Sequence, residues 1–214
     1  MIQSMEFLSD EERNKIEEEV RKGYVRKSEH PRLNLLIFTY TPKCEVEEHW
    51  NEITRRCRGL VIDDNNDRII INCIPKFFNY DTKFAANVDF ENCQITKKED
   101  GYLIQIKRDE CSGEPDNMVV TSKGSFDNKY VDKARSIIEG HQREFEPGFS
   151  YICELLHDFD GDEGIIVTRH NATKLVCFAI LNDKGEEIDD FSSLPSCLEK
   201  VQEFTPDQAK KYLT

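Results

Sequence analysis

The apolar positions near the start of the chain repeat with the period of a helix. Ser9 and Glu12 have the spacing of a capping box, and Ile16 and Val20 form an apolar stripe that ends near Gly23. This pattern predicts an amphipathic first helix.

Short apolar runs separated by polar turns predict strands in the middle of the chain. The predicted strands are residues 34–40, 59–63, 68–74, 102–108, 117–121, 151–156, 164–168 and 174–181. The second and third are expected to form a hairpin, and the fourth is expected to pair with the fifth. A proline turn is predicted at Thr41-Pro42.

Helical patterns flank these strands. A helix is predicted from Asn128 to Glu139, stopped by Gly140, and weak helical patterns occupy the last twenty residues. Strands in the middle with helices at the edges indicate an α+β fold.

Composition and charge narrow the class of protein. Of the 214 residues 38% are hydrophobic, and no apolar stretch approaches the roughly 18 residues that would span a bilayer. The first residues lack a secretory signal, so we expect an intracellular protein, cytoplasmic or nuclear, with no membrane partner. The net charge of −13 argues against nonspecific nucleic-acid coating, but it allows an enzyme whose basic groups converge in one cleft.

The cysteines and histidines form no metal-ligand pattern. The eight cysteines include no CxxC half-site, and the five histidines are scattered. We therefore expect no structural zinc site, and we expect buried, reduced thiols.

The run Lys98-Glu99-Asp100-Gly101 carries candidate chemistry, because it places a lysine directly before a strand. A lysine amine acts as a nucleophile only when it is uncharged, and nearby cations favour that form. Alone, this KxDG sequence is more often an ordinary polar turn. The surrounding motifs change that interpretation.

Several other short motifs accompany KxDG in a fixed order. They are Ile37-Phe38-Thr39-Tyr40, Cys57-Arg58-Gly59, Lys76-Phe77-Phe78-Asn79, Ser122-Lys123-Gly124-Ser125, Glu154 within a strand, and Gly185-Glu186-Glu187. This order resembles the covalent nucleotidyltransferase superfamily, and in particular the RNA ligases of T-even phages and their relatives. The resemblance extends over roughly residues 33–190.

The resemblance implies one nucleotidyltransferase domain over residues 1–214, an ATP-grasp-like ligase fold of antiparallel sheets with flanking helices. It implies that Lys98 attacks the α-phosphate of ATP, with Mg²⁺ bound to the triphosphate, and holds AMP as a phosphoramidate. The AMP would then pass to an RNA 5′-phosphate, which an RNA 3′-hydroxyl joins. The expected partners are ATP and RNA ends, including tRNA, in RNA repair or tRNA splicing.

The resemblance also assigns roles to individual residues. Tyr40, Arg58, Lys76 and Gly101 match nucleotide-contacting positions. Phe78 matches a residue beside the adenine, Lys123 one near the phosphates and sugar, and Glu154 one that contacts the ribose.

Structural explanations remain open for these residues. Arg58 could form a surface ion pair, and Lys123 could lie in a turn. Phe77 is expected in the core, because neighbouring strand residues face opposite ways. Glu154 is a charged residue in an apolar strand and needs a partner.

The sequence departs from the family pattern at its end. The family's EGxV and KxK strands would fall beyond Thr214, and we interpret Glu163-Gly164-Ile165-Ile166-Val167 as a coincidental EGxV match. Lys210-Lys211 lies in a helical pattern and is not a KxK strand. The domain is therefore expected to be C-terminally incomplete, with another domain or chain supplying these motifs.

Two further expectations follow from the departures. Tyr102 stands where relatives carry serine, and its bulk is expected to narrow the pocket or alter the RNA step.

The alternative function is a ligase-like module that binds nucleotide or RNA ends without turnover. A capping guanylyltransferase or a DNA ligase is disfavoured by the CRG and KFFN motifs.

Overall fold

Eleven strands and five helices are present in the computed structural model, which describes residues 6–80, 82–89, 92–114, 116–158, 168, 170 and 172–210. The helices are α1 (Asp10–Arg21), α2 (Pro42–Val46), α3 (Glu52–Arg56), α4 (Lys129–Ile138) and α5 (Pro206–Lys210), with a 3₁₀ helix at Gln142–Glu144. The strands are β1 (Val25–Glu29), β2 (Leu35–Tyr40), β3 (Arg58–Asp63), β4 (Arg68–Ile71), β5 (Ile95–Thr96), β6 (Tyr102–Arg108), β7 (Met118–Ser122), β8 (Phe149–Leu156), β9 (Lys174–Asn182), β10 (Leu198–Lys200) and β11 (Glu203–Phe204).

The strands form two main sheets and a small ribbon. The first sheet has the order β1-β2-β3-β4 and is antiparallel throughout. The second has the order β10-β9-β8-β6-β7 and is antiparallel except where β10 runs parallel to β9. β5 and β11 pair as an antiparallel ribbon.

The core lies in three layers around these sheets. Helix α1 buries Ile16 against the outer face of the first sheet, which includes Phe38 and Leu60. The inner face of that sheet, through Ile37, meets Val119 of the second sheet. Helix α4 covers the opposite face of the second sheet. The space between the two sheets is therefore where polar residues can be enclosed.

The predicted first helix is confirmed. The Ser9 side chain accepts a hydrogen bond from the Glu12 N–H at 3.2 Å, and the Glu12 carboxylate accepts one from the Ser9 N–H at 3.0 Å. The α+β class, the 59–74 hairpin, the β6–β7 pair and the helix after Asn128 are confirmed as well.

Two local predictions are wrong. The expected turn at Thr41-Pro42 is the start of α2, because the Thr41 side chain accepts from the Cys44 N–H and caps the helix. The helical pattern predicted for the last twenty residues contains β10 and β11 before α5 begins. These short strands depend on pairing with β9 and β5, which local sequence does not reveal. The strand predicted at 164–168 and the Glu163 motif lie outside the described residues, apart from Thr168.

All eight cysteines are free thiols, as expected, but not all are buried. Cys111 is exposed, and Cys93 and Cys197 are partly exposed. Within the described ranges, no helix has the length and apolar character needed to cross a membrane.

Candidate active site

The loop that carries Lys98 is held at both ends by distant parts of the chain. At its start, the Lys97 N–H donates to the carbonyl of Gln202 at 2.8 Å, next to the β5–β11 ribbon. At its end, the Gly101 N–H donates to Glu154 Oε1 at 3.1 Å. A side chain at position 101 would clash with the Leu155 carbonyl, so only glycine allows this approach.

Glu154 lies on the face of β8 that points toward the first sheet. Its neighbours Cys153 and Leu155 pack on the other face, in the core beneath α4. Burial raises the pKa of Glu154 to about 7, although the Gly101 N–H and the charges of Lys98 and Arg58 act in the opposite direction. The partner that this carboxylate needs is therefore the KxDG loop.

The Lys98 side chain is exposed, and within the described part of the chain it makes no hydrogen bond or ion pair. The adjacent Lys97 differs, because it pairs with Glu99 at 2.8 Å. Lys98 is nevertheless close enough to Glu154 for its charge to act on that carboxyl group. The nucleophile candidate is thus accessible and next to the strand glutamate.

Gly59 allows Arg58 to be held at the junction of the two sheets. Gly59 has φ +105°, and the Gln105 side chain would lie 2.5 Å from a Cβ at this position. Gln105 is fully buried and donates through Nε2 to the Gly59 carbonyl at 2.8 Å and to Thr121 Oγ1 at 3.0 Å. Arg58 itself donates to the Ile74 carbonyl at 3.4 Å.

Lys123 is the centre of a group of cations. Its amine lies 3.7 Å from the centroid of the Tyr40 ring. Burial lowers the pKa of Lys123 to about 8; Glu45 opposes this, while Arg58, Lys76 and Arg26 add to it. Burial also raises the pKa of Tyr40 to about 12. Sequence reasoning expected cations around Lys98, whereas Arg58, Lys76 and Arg26 surround Lys123.

Lys76 lies among three aromatic rings. Its amine is 5.4 Å from the ring centroids of Tyr40 and Trp50 and 5.6 Å from that of Phe78. Trp50 makes edge contacts with both Tyr40 and Phe78, at 5.1 and 5.4 Å between centroids. These rings fix the lysine amine beside the Lys123 cluster.

The prediction that Phe77 is a core residue is wrong. Its side chain is 52% exposed, and the Arg58 guanidinium lies over its ring at 5.1 Å. Residues 74–80 are not a strand, so the alternation of strand side chains does not apply to them.

Tyr102 does not narrow the site. It is buried in the core beneath α4, and its ring stacks on Tyr130 with centroids 4.0 Å apart. Glu154 projects from the opposite face of the same sheet, so the expectation that Tyr102 narrows the pocket is wrong, while an effect on the RNA step stays a prediction.

Three residues of this site were missed by sequence reasoning. Arg26 donates to the Gly124 carbonyl at 3.2 Å, Trp50 contacts the Tyr40 ring, and Gln105 bonds to Gly59. Trp50 is the single tryptophan of the chain, and this rarity could have marked it as a candidate site residue. Arg26 and Gln105 had no local signal, because their roles depend on contacts between distant strands.

Two cavities open at these groups. One of about 220 Å³ has walls of Arg26, Thr39, Tyr40, Thr41, Pro42, Lys123 and Gly124. The other, of about 460 Å³, has Trp50, Lys76, Phe77, Phe78 and Phe84 among its walls. Among the described residues, no group of three His, Cys, Asp or Glu side chains could hold a metal ion.

Comparison with known proteins identifies the family. Residues 56–213 match the family model described as RNA ligase. The chain belongs to the RNA ligase family. No curated protein matches the chain in sequence.

Solved structures share the fold of this chain. An archaeal ATP-dependent RNA ligase (form 1) is 12% identical, with a TM-score of 0.59, covering 93% of this chain and 52% of that one. A putative ATP-dependent DNA ligase from Aquifex aeolicus is 16% identical, with a TM-score of 0.52, covering 93% and 53%. The chain thus spans about half the length of these ligases. The likeness confirms the predicted fold of antiparallel sheets with flanking helices.

Proposed function

We propose that this chain is the nucleotide-binding part of an ATP-dependent RNA ligase and that Lys98 is its nucleophile. The observation that carries the proposal is the position of Arg58. Its charge acts on Glu154, beside the Lys98 loop, and on Lys123 and Tyr40 in the cation cluster. A nucleotide placed around Arg58 would reach both groups.

The proposed reaction has three steps. The uncharged Lys98 amine attacks the α-phosphate of ATP, loses a proton, and forms an N–P bond while pyrophosphate leaves. The AMP then passes to the 5′-phosphate of an RNA end. Finally, the 3′-hydroxyl of an RNA end displaces AMP and joins the strands. RNA ends, tRNA among them, are the proposed substrates, in RNA repair or tRNA splicing.

The surrounding residues support distinct parts of this reaction. Arg58, Lys76 and Lys123 would offset the charge of the triphosphate and of the departing pyrophosphate, and Tyr40 would contact the nucleotide beside them. Glu154 would accept hydrogen bonds from ribose hydroxyls, and Gly101 keeps the loop close to that carboxylate. Phe78 would pack beside the adenine.

Mg²⁺ is proposed only as a companion of ATP. A magnesium ion bound to nucleotide phosphates usually keeps several water ligands. Its other ligands are phosphate oxygens and one or two protein carboxylates. The described residues offer no three-ligand protein site for it, so no step is assigned to a protein-bound ion.

A ligase-like module that binds nucleotide or RNA ends without turnover is the second candidate. The exposure of Lys98 and its lack of bonds among the described residues favour it, because nothing there fixes the amine toward a phosphate. The two candidates differ in covalent chemistry and not in binding.

Incubation with ATP labelled in the α-phosphate separates them. The purified chain with magnesium is expected to give a labelled protein band that Lys98→Ala removes. Lys97→Ala is the control, since that lysine adjoins Lys98 but pairs with Glu99. Arg58→Ala is expected mainly to weaken ATP binding. ATP binding without labelling would support the module, and labelling of the Lys98 variant would refute the assignment.

A further inference from the structure

An aromatic and basic surface borders the cation cluster. We call the residues Trp50, Lys76, Phe77, Phe78, Lys83 and Phe84 the aromatic–basic surface. They line the cavity of about 460 Å³, together with Glu45, Glu48, Asn79 and Thr82. In the described part of its wall, none of Lys98, Gly101 or Glu154 is present. The cavity therefore adjoins the Lys98 loop without including it, and it shares Lys76 and Phe78 with the proposed ATP site.

Cations lie over the rings of this surface. Lys83 is 4.7 Å from the centroid of Phe84, and Arg55 is 5.6 Å from that of Phe78. Aromatic faces combined with basic groups are the features with which proteins bind single-stranded nucleic acid, because bases stack on the rings and phosphates meet the cations.

Lys76 connects the surface to the proposed reaction centre. Its amine lies over the rings of Trp50 and Phe78, which line the cavity. It also lies over the ring of Tyr40, which the Lys123 amine contacts as well. A strand whose bases occupied the cavity would have its terminal phosphate near the cation cluster.

The two acidic residues of the cavity do not prevent such binding. Glu45 pairs with Lys76 at 3.5 Å, and Glu48 pairs with Lys83. Their side chains are 47% and 54% exposed, and exposed ion pairs of this kind are weak. RNA phosphates can replace these carboxylates as partners of the lysines.

We infer that the aromatic–basic surface binds unpaired nucleobases of the RNA end, with the neighbouring phosphates on Lys76 and Lys83. This inference rests on the proposed function and names the RNA-docking surface of the same site.

Trp50 emission tests the inference directly, because it is the only tryptophan of the chain. A 5′-phosphorylated single-stranded RNA with a blocked 3′ end is titrated into the chain without ATP. We expect a saturable change in emission, and weaker binding of a blunt duplex of the same sequence, whose bases are already stacked. No emission change with the single strand overturns the inference. The inference is also overturned if saturating ATP prevents RNA binding, since the cavity would then hold the adenine and leave no room for RNA bases.

Two phenylalanine variants provide a matched comparison. Phe77→Ala and Phe84→Ala are expected to weaken RNA binding by at least about fivefold, the loss of one stacked base. Phe7→Ala is the control, because Phe7 is 53% exposed, close to the 52% of Phe77, and lies outside the surface. Unchanged affinity in both surface variants overturns the inference.

A lysine pair tests the phosphate contact. Lys83 and Lys200 each pair with a glutamate, and each lies over a phenylalanine ring, at 4.7 and 4.9 Å. Lys83→Gln should reduce the salt dependence of RNA binding by about one phosphate contact, whereas Lys200→Gln should leave it unchanged. If RNA affinity depends equally on salt concentration in the two variants, the inference is contradicted.

Failure of this inference is distinguishable from failure of the proposed function. Labelling of Lys98 by ATP requires no RNA, and Phe84→Ala is expected to retain it. An unlabelled wild-type chain contradicts the function, while a labelled chain with unchanged RNA affinity in the variants contradicts only the RNA-docking surface.

Discussion

Glu154 and Gly101 are joined by a 3.1 Å hydrogen bond between a carboxylate oxygen and a backbone N–H. The bond connects the middle of the second sheet to the loop that carries Lys98. It accounts for the charged residue in an apolar strand and for the glycine of KxDG in one contact. The proposed nucleophile is therefore positioned from the sheet, through the backbone of its loop.

Replacing Glu154 with glutamine should change the pH dependence of stability. The pKa of Glu154 is about 7 in the fold against an ordinary 4.5, so the folded state binds more protons than the unfolded chain between these values. The free energy of unfolding should therefore fall as pH rises through this interval. Glu154→Gln keeps the acceptor but does not titrate. Between these pH values we expect the free energy of unfolding of the wild type to fall by up to about 3 kcal/mol relative to that of the variant. Urea unfolding at several pH values measures this difference. Parallel profiles would contradict the assignment.

ATP affinity should decline as pH rises through about 8. Burial lowers the pKa of Lys123 to about 8, so the lysine is charged below this pH and loses its attraction for phosphate above it. Calorimetric titration of ATP at successive pH values should show a decline that Lys123→Met flattens. The exposed Lys22 serves as the control position, where the same substitution should leave the profile unchanged.

Alanine at position 59 should be far more costly than alanine at another left-handed glycine. Gly59→Ala combines a φ of +105° with a collision against the buried Gln105, whereas Gly140 has φ +84° and nothing within 4 Å of an added Cβ. We expect Gly140→Ala to cost about 1 kcal/mol and Gly59→Ala several times more, measured by urea unfolding. Equal costs would show that Gln105 moves aside freely.

Removal of β11 should slow adenylation without unfolding the sheets. A chain ending at Val201 loses the ribbon partner of β5 and the Gln202 carbonyl that fixes Lys97. The rate of Lys98 labelling should fall by at least about tenfold, because misplaced reacting groups are costly. A chain ending at Lys210 is the control, and circular dichroism checks that both shortened chains are folded.

Many residues of the candidate site were predictable from sequence alone, because its motifs carry their own signals. Arg58, Lys123 and Glu154 stand in short motifs whose order pointed to a common nucleotide site, and the structure brings their charges within reach of one another. Short apolar runs also predicted the strands that carry or adjoin them.

The remaining parts depend on contacts between distant segments. Gln105 can be recognised as a site residue only when β6 is known to face β3. Arg26 can be recognised only when β1 is known to contact the turn after β7. Phe77 was assigned to the core because a strand was assumed where the chain is irregular. Local pattern does not encode such contacts.

The β5–β11 ribbon has a consequence for the order in which the protein matures. Synthesis proceeds from the N-terminus, so Lys98 leaves the ribosome long before Phe204 does. A nascent chain that has completed β8 can therefore anchor the Gly101 end of the loop while the Lys97 end still lacks its partner. Fixing this end of the loop therefore has to wait for the synthesis of β11.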